Sequence, residues 1–304
     1  MGGAALGPDI GLPVGRICIM SDEPGLLAEA DKHVKAAHQV ISPATVCIYR
    51  RLEDGIEAIA SGILVNTPSE VVMLTAAHVT DYYKQEHPLC TVRRKQLGDR
   101  KGIPLGPPLW KASRIREYSD RTDDPFDLAV VRFPAYVRNL LLEHYSPIEL
   151  DSVDPDDHGV SEHVYLAYGY PIETNEPSIM MGTITQRPLS VITKTRVARH
   201  PIAPAYDQKI DILVSYEAAS DSTGAAIVPP NPKGMSGCGL WRVGRDPFPG
   251  MGRSPEKVVL VGLVHTHFKQ EKLIRSTQIQ HLMAAARATF LQTPNYNPDF
   301  DYRQ

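Results

Sequence analysis

Short apolar runs recur through the middle of the chain, and each is closed by proline, glycine or charged residues. Ala44–Arg50, Glu57–Asn66 and Val71–Thr75 come first, followed by Asp127–Phe133. Val164–Pro171, Ile179–Gln186, Ser190–Val197, Asp211–Glu217, Gly239–Val243 and Lys257–His265 complete the series. Val, Ile and Thr are frequent in them, and turn signals separate them at fairly regular spacing. That pattern predicts many short strands and an all-β barrel architecture. Two segments read otherwise. Leu26–Ala37, with alanines among alternating charges, predicts a short helix after a Gly- and Pro-rich arm over residues 1–24. Lys272–Leu291 carries Leu273, Ile274, Ile279, Leu282, Met283 and Ala286, and its later part has helical spacing, so a C-terminal α-helix is predicted. Residues 84–125 are polar and Pro-rich, with the basic pairs Arg93-Arg94 and Arg100-Lys101, and predict an elaborated connection around one hairpin. Asp151–His158 is a polar, acidic span, and the tail after Thr293 is polar. No internal repeat, low-complexity tract or added module such as a PDZ domain is evident.

Composition narrows the setting. The 304 residues can bury a large core. With 32 basic and 35 acidic side chains the net charge is −3, which leaves no electrostatic footprint for nucleic acid or an anionic membrane. Cys18, Cys47, Cys90 and Cys238 form no C-x-x-C pair, so neither a metal site nor a dense disulfide framework is expected. No run of apolar residues is long enough to span a bilayer. The N-terminus lacks a basic n-region and a continuous apolar h-region, so a cytoplasmic protein is expected.

Chemistry concentrates in three segments. In Lys233-Gly234-Met235-Ser236-Gly237-Cys238-Gly239 a serine sits among glycines just before an apolar run. Glycines let the backbone turn sharply and converge its N–H groups, as a nucleophilic serine needs for the oxyanion it creates. In Val71–Val79 an apolar strand runs into Ala76 and Ala77 and then His78, leaving an imidazole room for two partners. In Asp124–Val131 an acid, Asp127, opens a buried strand, where a carboxylate can fix a histidine tautomer. Asp123 and Asp124 are nearby acids, but the apolar strand begins directly after Asp127. Singly, each segment reads as an ordinary turn or strand end; together, in the order His, Asp, Ser, they read as a triad.

Thr75-Ala76-Ala77-His78, Asp127-Leu128-Ala129-Val130 and Gly234-Met235-Ser236-Gly237 resemble the signature blocks of trypsin/chymotrypsin-like serine proteases. Ala60-Ser61-Gly62-Ile63-Leu64-Val65 and Gly169-Tyr170-Pro171 resemble strands of the HtrA-like protease domain, here without a PDZ module. The resemblance spans roughly residues 40–290. It implies two six-stranded antiparallel β-barrels: a first lobe at 40–150, a second at 151–292 that ends in the helix, and flanking segments at 1–39 and 293–304. It implies that His78 is general base, that Asp127 orients it, that Ser236 is the nucleophile, and that the N–H groups of Gly234 and Ser236 form the oxyanion hole. The substrate would be a protein or peptide, with no cofactor and no metal.

Departures from the digestive enzymes sharpen this expectation. Met235 stands where those enzymes carry the aspartate that pairs with a freshly cut N-terminus, so activation by N-terminal cleavage is disfavoured. The loop is then held by packing, or ordered by substrate or a regulatory protein partner. Cys238 replaces a glycine and reads as a buried thiol or a redox-sensitive one. The pocket base implied by the resemblance lies near Pro230 in a stretch without an acid, which disfavours Lys or Arg as the preferred residue, although Glu271 could fold in. Val264, His265, Thr266 and His267 would pass beside the substrate. His265 and His267 share a face if the strand is extended, as pocket lining, a preference for acidic substrates, a metal pair, or merely satisfied side chains.

Two other classes compete. An α/β-hydrolase needs G-x-S-x-G with acid and histidine after the serine; here the fifth position is Cys238 and the order is reversed. A catalytically silent homologue acting as a protein-binding module keeps the same fold.

Overall fold

The computed structural model describes residues 36–53, 55–67, 70–83, 89–91, 103–105, 110–112, 126–149, 163–175, 186–194, 207, 209–216, 219–220, 226–245 and 258–281. Two curled sheets of eight strands each dominate. The first holds β1 (Thr45–Leu52), β2 (Gly55–Asn66), β3 (Val71–Ala76), β4 (Leu89–Thr91), β5 (Ile103–Pro104), β6 (Trp110–Ala112), β7 (Leu128–Arg132) and β8 (Ile148–Glu149). The second holds β9 (His163–Gly169), β10 (Leu189–Lys194), β11 (Asp211–Ser215), β12 (Ala219–Ser220), β13 (Ala226–Ile227), β14 (Gly239–Arg245), β15 (Val259–Phe268) and β16 (Leu273–Gln278). Setting aside the two-residue strands β5, β8, β12 and β13 leaves six per sheet, the two-barrel architecture the resemblance implies. Pairing is antiparallel except where β8 runs parallel to β2. Among the described residues the α-helical ones are 36–44 (α1), Ala77–Thr80 (α2), Ala135–Leu142 (α3) and 279–281, and Ile172–Thr174 form a 3-10 turn. None of these is long and apolar enough to cross a membrane.

The strands read as unbroken apolar runs because both of their faces are covered. Along β9, Tyr165 and Ala167 point into the core of the second lobe, while Leu166 and Tyr168 point into a cluster shared by both lobes. β7 does the same from the other side: Val131 faces the first-lobe core, and Leu128 and Val130 face the shared cluster. β14 contributes the fully buried Trp241 and the buried Val243 to that seam, and β2 contributes Ile63 and Val65. Ala37, Ile41 and Ala44 of α1 lie on one helical face at i, i+4 and i+7 and pack into the same seam. His38 fixes the helix from the side, with its Nε2 2.6 Å from the Ser190 hydroxyl.

Two differences from the sequence reading have physical causes. Residues 273–278 form β16 and not the start of a C-terminal helix; the helical residues begin at 279. β16 pairs on both edges, with β11 and β15, and all six of its residues, Leu273 and Ile274 among them, are buried, so both faces are covered and the apolar spacing is uninformative. The N-terminal helix reaches residue 44, past the expected end at Ala37, because the buried face continues to Ile41 and Ala44. Leu26–Lys35, most of the expected strand at Ile179–Gln186, residues 195–197 of another, Asp151–His158, the tail and the helix beyond His281 lie outside the described residues.

One buried charge pair sits in the second lobe. Arg275 Nε lies 2.9 Å from Asp211 Oδ1, with the two side chains 1% and 0% exposed. Asp211 Oδ2 also accepts the Asp207 N–H at 2.9 Å. Burial pushes the Asp211 carboxyl up, opposed by Arg275. Removing one partner strands the other charge, so Asp211→Ala is expected to cost about 3–5 kcal/mol, whereas an apolar replacement of both residues costs much less. Urea denaturation of the single and double variants checks this; equal losses would contradict it.

Candidate active site

Asp127 ends its loop in the left-handed region, with φ of 41°, a conformation aspartate tolerates better than most residues. That turn points both its backbone and its side chain at the start of α2. The Asp127 carbonyl accepts the Ala77 N–H at 2.9 Å. Its carboxylate then spans one residue: Oδ1 accepts the His78 backbone N–H at 2.8 Å, and Oδ2 lies 2.6 Å from His78 Nδ1. The carboxylate is buried while the imidazole is 30% exposed at the side-chain level, so the ring's other nitrogen faces outward from a fixed hinge. Ala76 and Ala77, both fully buried, leave the space this requires. Asp123 and Asp124 lie outside the described residues.

The serine loop belongs to the second lobe. Gly234 and Gly237 both have positive φ, 96° and 83°. A Cβ on Gly237 would sit 2.2 Å from both the Ser61 carbonyl and Thr75 Oγ1, so no other residue fits. Internal bonds close the turn: Met235 N–H to Pro232 O and Cys238 N–H to Met235 O, each 2.9 Å. Gly237 N–H donates to Val264 O at 2.7 Å, and Ser61 N–H of the first lobe donates to Ser236 O at 2.9 Å. The N–H groups of Gly234 and Ser236 donate to no protein acceptor among the described residues. Ser236 Oγ contacts the His265 carbonyl at 3.5 Å. No hydrogen bond joins it to His78 among the described residues.

Met235 is fully buried in the second-lobe core, where the Tyr216 hydroxyl reaches its sulfur at 3.9 Å. Packing thus holds the loop at this position. Cys238 is fully buried beside it, and burial pushes its thiol pKa up. Cys47 is also buried, and burial pushes its thiol up to about 12.

The residues expected beside the substrate divide into two groups. His267, half-buried, stacks edge-on against Tyr216 with ring centres 5.5 Å apart, and the Tyr216 hydroxyl donates to Pro230 O at 2.9 Å. Thr266 is half-buried, Val264 is buried in the lobe core, and Glu271 is exposed in the turn after β15. His265 turns the other way. The pairing of β15 with β16 slips between Val264 and Thr266, and this bulge breaks the alternation that would have put His265 and His267 on one face. His265 is instead buried behind the acid, its Nδ1 3.8 Å from Asp127 Oδ2. Thr277 Oγ1 donates to the Phe126 carbonyl at 2.9 Å, so it accepts from His265 Nε2–H at 3.1 Å. Nδ1 then accepts from the Thr266 hydroxyl at 2.9 Å, which fixes the neutral tautomer. No signal in the sequence marks this arrangement, since it depends on the register of the partner strand. No group of three metal-ligating side chains exists among the described residues.

No protein-family model matches the sequence, and no curated protein matches it. Solved structures resemble it at low identity. A thermostable serine protease, AL20, from an extremophilic microorganism is 12% identical, with a TM-score of 0.45 over 84% of this chain and 99% of that one. Rv3671c from M. tuberculosis H37Rv, in an inactive form, is 12% identical, with a TM-score of 0.41 over 91% and 98%. The serine protease domain of the Sesbania mosaic virus polyprotein is 15% identical, with a TM-score of 0.40 over 80% and 91%. Likenesses of this degree carry no chemistry, and the functional reading rests on the geometry of the site.

Two outcomes are expected. Gly237→Ala introduces both a clash and a disfavoured φ, and is expected to destabilise by about 2 kcal/mol or more in urea denaturation. Burial, with Arg275 and His78 adding to it, holds the His265 pKa well below its ordinary 6.5. The unfolded chain therefore binds the extra proton below that pH and the fold does not. The stability this contributes is fully present above pH 6.5 and lost as pH falls toward the folded pKa. Unfolding free energy should thus decline on acidification, and less steeply in His265→Gln; identical slopes would contradict it.

Proposed function

We propose that the chain is a serine endopeptidase. The observation that carries this reading is the Asp127 carboxylate grasping residue 78 at two points, 2.8 Å to its backbone N–H and 2.6 Å to Nδ1. That grip fixes the Nδ1–H tautomer and leaves Nε2 as the base. In the proposed mechanism His78 Nε2 takes the proton of Ser236 as Oγ attacks the substrate carbonyl. The N–H groups of Gly234 and Ser236 receive the developing oxyanion. His78 then gives its proton to the leaving amine, and water, deprotonated by His78, releases the acyl group from Ser236. No cofactor or metal takes part.

The finer affiliation with HtrA-like proteases is supported by the segments Ala60–Val65 and Gly169-Tyr170-Pro171. In the specificity pocket we place Pro230, Thr266, His267 and Tyr216; the carboxylate beside them, Glu173, accepts the Asn231 N–H at 3.3 Å and is exposed, so no buried acid waits for a Lys or Arg side chain. A catalytically silent, protein-binding homologue is the second reading, favoured by one observation: the Ser236 hydroxyl contacts the His265 carbonyl and makes no bond to His78.

Cleavage of an unbiased peptide library by the wild type and Ser236→Ala tests activity and specificity together. The wild type is expected to cut after residues other than Lys and Arg, and Ser236→Ala to lose ~10³-fold or more. No cleavage by folded wild type would favour the silent reading. Rapid cleavage of unfolded protein by the isolated chain would argue against gating by a regulatory protein partner, which Met235 suggested.

A further inference from the structure

Ser61 is fully buried on β2, in the first lobe, yet its hydroxyl serves the second. Its Oγ donates to the Gly234 carbonyl at 2.9 Å, 173 residues along the chain, and accepts the Tyr170 backbone N–H at 2.9 Å. A backbone N–H can only donate, so the direction of both bonds is fixed: the hydroxyl proton goes to Gly234. Two residues past Tyr170, the Ile172 N–H donates to the Lys233 carbonyl at 2.8 Å. The two peptide groups flanking Gly234 are thereby held by their carbonyls, one from Ile172 and one from Ser61. In a trans peptide the N–H points opposite to the carbonyl, so a fixed Lys233 carbonyl aims the Gly234 N–H away from Ile172. Gly234, with φ of 96°, has no side chain to resist rotation of either peptide. The Ser61 hydroxyl, with the Met235 N–H bond to Pro232 O on the same peptide and the Ile172 bond on the preceding one, supplies the resistance that glycine lacks.

We propose that Ser61 is a positioning residue for the oxyanion hole: through the Gly234 carbonyl it locks the loop in the orientation that keeps the Gly234 N–H aimed at the developing oxyanion. This rests on the endopeptidase reading of the site. Ser61 touches no substrate, so its loss should weaken stabilisation of the transition state and leave ground-state binding nearly intact.

The test is inactivation by a fluorophosphonate, resolved into a maximal rate, kinact, and an apparent affinity, KI. Ser61→Ala is expected to lower kinact by ~10-fold or more while KI stays within about twofold. Thr91→Val, which removes a buried hydroxyl bond to the Cys47 carbonyl elsewhere in the same lobe, is expected to lower stability without changing kinact. Ser61→Cys fills similar volume with a weak hydrogen-bonding group; it serves where alanine fails to fold, and should lose kinact likewise. Amide hydrogen exchange provides a readout independent of reactivity, with faster exchange at Tyr170 and across residues 233–238 in the Ser61 variants only. Unchanged kinact in folded Ser61→Ala or Ser61→Cys, or an equal loss in Thr91→Val, overturns the proposal. If the folded wild type does not react at all, the endopeptidase reading fails instead, and the exchange contrast alone then reports whether Ser61 holds the loop.

Discussion

One backbone hydrogen bond crosses the seam at its most consequential point: Ser61 N–H of the first lobe to Ser236 O of the second, at 2.9 Å. His78 and Asp127 belong to one half-barrel and Ser236 to the other, so no local segment can align them. Alignment comes from the apolar seam, where Ile63, Val65, Leu128 and Val130 meet Leu166, Tyr168 and Trp241. Close packing at interior density makes that seam stiff, and the cross-lobe hydrogen bonds give it a register. Hydroxyls reinforce it in both directions. Ser61 reaches from the first lobe to the serine loop, and Thr277 reaches from the second lobe to the Phe126 carbonyl beside the acid.

The same closeness explains the small residues around the site. Gly237 lies against Ser61 and Thr75 with no space for a methyl group. Ala76 and Ala77 let the start of α2 approach the Asp127 carbonyl. Strain collects here too: Asp127 is one of two non-glycine residues with positive φ among the described residues, and it is the residue that grips His78. Such conformations cost about 1–3 kcal/mol and persist where their surroundings over-determine them. Around Asp127 the bonds from Ala77, His78 and, through Phe126, Thr277 do so.

Much of this was legible in the sequence where the determinants are local. The His and Ser blocks each carry their own turn chemistry, and the apolar strand behind Asp127 distinguishes it from Asp123 and Asp124. Most strand positions were also legible, because both faces of each strand are apolar and its ends are punctuated. What depends on distant partners was not. β16 reads as helical because a strand covered on both faces shows no alternation. The inward turn of His265 follows from a one-residue slip against β16, which no window around His265 records. Ser61 looked like one small residue among several in a strand, since the carbonyl it holds lies 173 positions away.

The proposed function requires Ser236 to be a nucleophile activated by the His78–Asp127 pair. Its most direct test is intact-mass and peptide-level mass spectrometry after reaction of the folded chain with a fluorophosphonate. A single adduct on Ser236, formed by the wild type and abolished in His78→Ala while that variant remains folded, is the predicted result. An adduct elsewhere, no adduct at all, or an adduct on Ser236 that forms equally fast without His78 would contradict it.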